Sequence, residues 1–236
     1  MERLDKLLAN RTDLSRKDAK SAILSGKVTV GSVTVRNPEE KVSEEDEIFL
    51  DGKKISGEKF VYLVLHKPKG YVSATEDRSD PTVLELVPPE LFRSGLFPAG
   101  RLDKDTTGLM ILTDDGDFAH RILSPKKHVP KSYAVVLDIP VTEEMKSGFE
   151  KGVMLKDGVC KAAGLQITGE NSAVVTLSEG RYHQIKRMFG CFGAKVVELH
   201  RLSMGGFFLP EDLPEGCCRS LTEEERNLVE KGGKNP

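Results

Sequence analysis

Residues 52–60, GKKISGEKF, are polar and hold two glycines, and the chain is patterned differently on either side of them. That composition fits a short flexible linker. A length of 236 residues accommodates a small domain beside a larger one, which predicts a first domain over residues 1–56, a linker at 57–60 and a second domain over 61–236. Hydrophobic residues at 38% and charged residues at 31% exclude a disordered or membrane-embedded chain. No apolar stretch approaches the roughly 20 residues that cross a bilayer. The opening MERLDKLLANR alternates charge with leucine, unlike a signal peptide, so a cytoplasmic protein is expected. The four cysteines, Cys160, Cys191, Cys217 and Cys218, have no C-x-x-C spacing and suggest neither a zinc site nor a disulfide framework.

On the N-terminal side, Leu4, Leu7 and Leu8 recur at helical spacing and predict a short amphipathic helix over residues 2–9. Ser15 and Asp18 resemble a capping box for a second helix. Its apolar face is Ala19, Ala22 and Ile23, and Gly26 is a natural stop. KVTVGSVTV then alternates with period two around Gly31-Ser32, a two-residue loop suited to a type II′ turn, and a further strand is expected at Glu47–Leu50. Beyond the linker, the run Val61 to Leu65 reads as a buried strand. Further strands are predicted at Leu109–Thr113, Ser132–Asp138, Ala173–Ser178 and Lys195–His200. Helices are predicted at Phe118–Leu123, Thr142–Lys151 and Tyr182–Phe192, with a last one after the Thr222/Glu225 capping box. Without regular βαβ spacing, the expected class is α+β: a small N-terminal α/β domain and a larger, mainly antiparallel mixed sheet with flanking helices.

Net charge is only −2, but it is unevenly spread. Residues 1–36 hold eight Lys/Arg against four Asp/Glu, residues 37–60 hold four against eight, and residues 181–201 hold five against one. Local basic faces can bind phosphates in a nearly neutral protein. Arg3 and Lys6 lie on the first predicted helix, and Arg16, Lys17 and Lys20 on the second; such a cluster alone is most often a solvated face.

Three stretches carry more polar chemistry than a core needs. HKPKGYVSAT (66–75) turns the chain after the opening strand and offers Lys67 and Lys69. FPAGRLDKDTTGLMILTDDG (97–116) concentrates Arg101, Asp103, Lys104 and Asp105 between glycines 100 and 108; alone, such a loop is usually a solvated turn. Thr106, Thr107 and Gly108 suggest a hydrogen-bonded turn that fixes the acid's direction. The aspartates at 114, 115 and 117 fit a turn before a helix, and no metal is assigned to them. SEGRYHQIKRMFGCFG (178–193) leads into a helix anchored by Ile185, Met188 and Phe189, with Lys186 projecting away from them. His183 has no visible partner and is kept as a substrate contact.

The run from RLDKLLA through SRKDAKSAILSGKVTVGSVTV to SEEDEI resembles the S4 RNA-binding domain. The KPKG turn, GRLDKDTTGL, KSYAVVL and EGRYHQIKRMF, in that order, resemble the pseudouridine synthase family of the RsuA type across residues 60–230. Tyr-His-Gln after Glu179-Gly180-Arg181 is similar to the branch that acts on small-subunit ribosomal RNA. The resemblance implies isomerisation of a uridine of 16S ribosomal RNA, at position 516, in an assembly intermediate of the small subunit, by a monomer that needs no cofactor. It implies Asp103 as the catalytic aspartate, Tyr133 as the ring stacked on uracil, and Lys186 as the counter-charge of Asp103. Arg101 is implied to fill the space vacated by the target base. Arg181, His183, Gln184 and Lys67 are expected to contact substrate, and Arg3, Lys6, Arg16, Lys17 and Lys20 to meet RNA phosphates.

Pseudouridylation breaks the N1–C1′ bond, turns the uracil and rejoins it through C5, so redox chemistry is not required. A carboxylate could attack C1′, remove the C2′ proton or add to the base. Burial raises a carboxyl pKa and a nearby cation opposes that, which gives Lys186 its expected purpose. Alternatives are a large-subunit synthase of the same family, a non-catalytic S4-containing assembly factor and a hydrolase that releases uracil.

Overall fold

The computed structural model describes residues 1–231 except 13, 44, 56–59, 125, 126 and 128. The expected linker at 57–60 therefore lies, apart from Phe60, outside the described residues. The chain forms two compact units, residues 1–61 with 92–96, and residues 62–91 with 97 onward. Among the described residues no helix is long and apolar enough to cross a membrane.

In the first unit, helix α1 (Leu4–Arg11) packs against α2 (Arg16–Leu24). An eight-residue helix without a side-chain cap is marginal alone; α1 is held by burying Leu4, Leu7 and Leu8 in a core with Ala19, Ile23, Val28, Val42 and Ile48. The Ser15 hydroxyl accepts from the Asp18 amide at 3.2 Å, a cap of about 1 kcal/mol. Strands β1 (Val28–Val30) and β2 (Val33–Thr34) form the hairpin, with Val30 opposite Val33. Gly31 has φ +56°, the sign that the first central position of a type II′ turn demands. With β3 (Ile48–Leu50) and β4 (Lys53–Lys54) the sheet order is β2-β1-β3-β4.

The second unit is built on a nine-stranded sheet. Its strands include β5 (Tyr62–Lys67), β6 (Thr107–Thr113), β7 (Lys131–Leu137), β8 (Gly164–Ile167), β9 (Ser172–Leu177), β10 (Val196–Met204) and β11 (Cys218–Ser220). They run in the order β8-β9-β7-β10-β6-β5-β11, with short strands at Phe97–Pro98 and Phe207–Phe208 beside β6 and β10. The β6–β10 pair is parallel and the other pairs are antiparallel. Helices α3 (Gly116–Leu123), α4 (Glu143–Lys151), α5 (Gln184–Gly190) and α6 (Glu223–Glu230) flank it. Val64, Leu109 and Ile111 of the sheet bury against Phe118 and Ile122 of α3 and Val229 of α6. Phe149 of α4 meets Phe189 of α5 with ring centroids 4.7 Å apart.

Asp115 caps α3, accepting from the amides of Asp117 and Phe118 at 3.0 Å each. That is the turn-before-helix role expected of the acidic cluster. Helix α5 is two residues shorter at each end than the predicted Tyr182–Phe192; at its start, His183 adopts a left-handed conformation at φ +48° and stops the helix extending backward. Strand β10 runs on to Met204 rather than ending at His200. Strands β8 and β11 have no counterpart among the predicted elements: four and three residues are too few to display a readable period.

Candidate active site

The loop before β6 is fastened by the turn that follows β5. The Lys67 ammonium is fully buried and donates to the carbonyls of Pro68 at 2.9 Å, Thr106 at 2.8 Å and Lys104 at 3.4 Å. The Gly70 amide donates to Lys104 O at 2.8 Å. The Ser73 hydroxyl donates to Leu102 O at 2.8 Å and accepts from the Leu102 amide at 3.0 Å. At the far end, Gly108 has φ +104°, and a Cβ there would lie 2.3 Å from the Arg201 carbonyl oxygen. Only glycine lets β6 approach β10 this closely.

Thus held, the loop presents Asp103 to a cleft of about 1000 Å³. The start of α5 brings two basic groups to the same carboxylate. Lys186 Nζ lies 3.0 Å from Asp103 Oδ2 and 2.6 Å from Asp105 Oδ1, and His183 Nε2 lies 3.3 Å from Asp103 Oδ1. Burial lowers the Lys186 ammonium pKa, but the bonds to Asp105 and Asp103 outweigh it and leave the group raised. Burial likewise pushes the Asp105 carboxyl up, and Lys186 more than offsets that. This balance favours a charged lysine bridging two carboxylates.

Tyr133 is buried on β7, opposite Arg201 of β10, and lines the cleft. Arg101 is exposed at the cleft. Arg181 also lines it, with its guanidinium tied to the carbonyls of Gly158 at 3.1 Å and Val159 at 2.6 Å. Tyr182 is exposed and stacks on His183, with centroids 3.8 Å apart at 18°.

Two expected substrate contacts need correction. Lys67 is enclosed by backbone carbonyls, and its work is to hold the Asp103 loop. Gln184 is buried and spends its amide locally, Nε2 donating to Glu179 at 2.8 Å and Oε1 accepting from the Arg181 amide at 2.9 Å. It fixes the entry to α5. Residues that the motifs did not single out are Asp105 as second partner of Lys186, and Lys131 and Arg201 in the cleft wall. A signal existed for the last two: period two along β7 and β10 puts Lys131 on the face of Tyr133, and Arg201 on the face of Leu199.

In the first unit three of the five basic residues gather around one acid. Asp5 is buried and accepts from Arg3 through two bonds of 3.0 Å, with Arg16 at 3.5 Å and Lys20 at 3.9 Å. Lys6 pairs with Glu2 at 3.5 Å, and Lys17 is exposed.

Residues 61–190 match the RNA pseudouridylate synthase family. The chain belongs to that family. Residues 2–48 match the S4 domain. Over 226 residues the chain is 44% identical to ribosomal small subunit pseudouridine synthase A of Escherichia coli K12, covering 94% of this chain and 97% of that one. It is also 44% identical, over 233 residues, to the RNA pseudouridine synthase YtzG of Bacillus subtilis, covering 96% and 98%. A crystal structure of a pseudouridylate synthase superposes with a TM-score of 0.69 at 40% identity, covering 97% of this chain and 100% of the other. The α+β fold expected of the family is the fold observed. As a member, the chain is an isomerase that converts uridine to pseudouridine in RNA.

Proposed function

We propose that this synthase modifies small-subunit ribosomal RNA, at the uridine of position 516 in 16S RNA, with Asp103 as its catalytic carboxylate. The reading of the site rests on one observation: Asp103 is gripped by Lys186 and His183, one on each oxygen, in a cleft that Tyr133 also lines. The choice of RNA is supported by the likeness to the E. coli small-subunit enzyme over nearly the whole chain.

The residues divide the work. Lys186 sets a positive charge beside Asp103 and fixes one oxygen, leaving the carboxylate aimed at the sugar of a uridine that enters the cleft. Taking that uridine from its stack costs on the order of a few kcal/mol. Stacking on Tyr133, Arg101 in the space that the base vacates, and phosphate contacts from the first unit offset it. Residues 1–56 form the RNA-binding part, in which Asp5 organises Arg3, Arg16 and Lys20 while Lys6 and Lys17 extend the basic face; residues 61–236 form the catalytic part. The protein acts as a cytoplasmic monomer on an assembly intermediate of the small subunit.

The test is to incubate the protein with unmodified small-subunit RNA, free and in ribonucleoprotein particles, and to map pseudouridine. Wild type is expected to convert position 516, and Asp103→Asn to lose at least ~10³-fold in rate. Equal conversion by Asp103→Asn would remove the catalytic assignment. Modification of large-subunit RNA alone would move the substrate, and free uracil in place of pseudouridine would indicate hydrolysis.

A further inference from the structure

The cleft that holds Asp103 is also lined by two cations to which the proposed division of work gives no task. Lys131 and Tyr133 lie two residues apart on one face of β7, and Arg201 of β10 is directly across from Tyr133. Arg201 is 1% exposed; its Nε donates to Leu109 O at 2.5 Å. Lys131 is part-exposed to the cleft, and its Nζ donates to Val129 O at 2.9 Å. Among the described residues neither has an ion-pair partner, and the charge that acts on Lys131 is the like charge of Arg201. Two cations largely removed from water without a counter-anion are costly to keep. An arrangement of this kind, inside a cleft, marks a place where negative charge arrives during function.

That charge can come from a phosphate or from the base. Its position beside Tyr133, at the wall rather than at the exposed edge where Arg101 lies, favours the base. When the N1–C1′ bond breaks, the bonding pair leaves with the uracil as an anion whose charge spreads over N1, O2 and O4. The ring turns, the C5 pair forms the new bond to C1′, C5 loses its proton and N1 gains one, so nothing external is consumed. We propose that Lys131, backed by Arg201, is a further catalytic residue whose ammonium stabilises the detached uracil anion through this turn. The inference rests on the reading of Asp103 as the group that acts at the sugar.

Burial, with Arg201 adding, pushes the Lys131 ammonium down to about 8. The ionisable groups that share the cleft with it are Tyr133, Tyr182 and His183, the acids Asp103, Asp105 and Glu179, and the cations Lys69, Arg101, Lys104, Arg181, Lys186 and Arg201. The experiment measures single-turnover rate and RNA affinity from about pH 6 to 9.5 for wild type, Lys131→Met and Lys131→Arg, with Asp103→Asn alongside and thermal melts to check folding. Lys131→Met is expected to lower the rate ~100-fold, with affinity within about twofold. Wild type should lose rate above about pH 8 as the ammonium deprotonates. Lys131→Arg should retain a larger share of the rate than Lys131→Met and show a smaller alkaline fall, because its charge persists while Lys67, which burial also lowers to about 8, still deprotonates. An effect confined to affinity, an undiminished rate in Lys131→Met, or an alkaline fall unchanged in Lys131→Arg would each overturn the proposal. If Asp103→Asn turns over like wild type, it is the assignment of Asp103 that fails, whatever Lys131→Met does.

Discussion

Each oxygen of Asp103 has its own partner, and the partners differ in kind. Lys186 is a compact charge that also binds Asp105, whereas His183 reaches Asp103 from a left-handed backbone. Lys186→Met is expected to reduce the single-turnover rate ~10–100-fold while RNA affinity changes little, because the missing charge acts at the reacting group. Lys186→Arg should retain more, since the charge persists, though a planar fork places its donors differently from the single ammonium that now meets both aspartates. A comparable residue in the first unit is Asp5. Burial pushes its carboxyl up, but Arg3 and Arg16 hold it below the usual range. A lowered folded value means that Asp5 adds stability above its unfolded pKa of about 4, and that this is lost as pH falls through the folded value. Asp5→Asn should cost the first unit about 1–2 kcal/mol in urea unfolding, a modest figure because its partners are 35% to 56% exposed. The variant should also lack part of the acid-side fall in stability.

At the scale of elements, the site depends on how two short segments meet. The turn after β5 supplies Lys67, Gly70 and Ser73 as partners for the backbone of the loop that carries Asp103. Lys67→Met keeps the length of the side chain but strands buried carbonyls, which costs about 1–3 kcal/mol. Thermal unfolding should show that loss, and the rate should fall further than RNA affinity as Asp103 loses its aim. Gly108→Ala is more severe. The added methyl would meet the Arg201 backbone at 2.3 Å in a conformation with φ +104°, so the parallel join of β6 and β10 must open. The expected loss is about 3 kcal/mol or more, with melting as the readout.

At the scale of the molecule, each unit has its own core: Leu4 to Ile48 in the first and Val64 to Val229 in the second. Deleting residues 1–56 should weaken RNA binding and flatten its dependence on salt, by ~0.7–0.9 in log–log slope for each phosphate that the shortened protein no longer neutralises. Unchanged affinity at fixed salt would give that part another role. Much of this arrangement is readable in the sequence. Local signals suffice for α1, α2 and their hairpin, for the cap at Asp115, and for the strands around Tyr133, because caps, turns and hydrophobic periods act within a few residues. Asp103 and Lys186 become candidates only through the resemblance of their motifs to those of the family, since a loop such as 100–108 is by itself usually a solvated turn. What the chain's order could not convey is which groups remain free once it folds. Lys67 and Gln184 look like substrate ligands in sequence, yet the fold consumes their donors in its own hydrogen bonds. Lys131 and Arg201 each lie one residue outside a predicted strand, yet the fold brings them to the cleft with no ion-pair partner among the described residues. For Lys67 and Arg201 the deciding hydrogen bonds join residues 37 to 92 positions apart, and those contacts exist only in the tertiary structure; Gln184 bonds to residues three and five positions away, but its burial is likewise settled only by the fold.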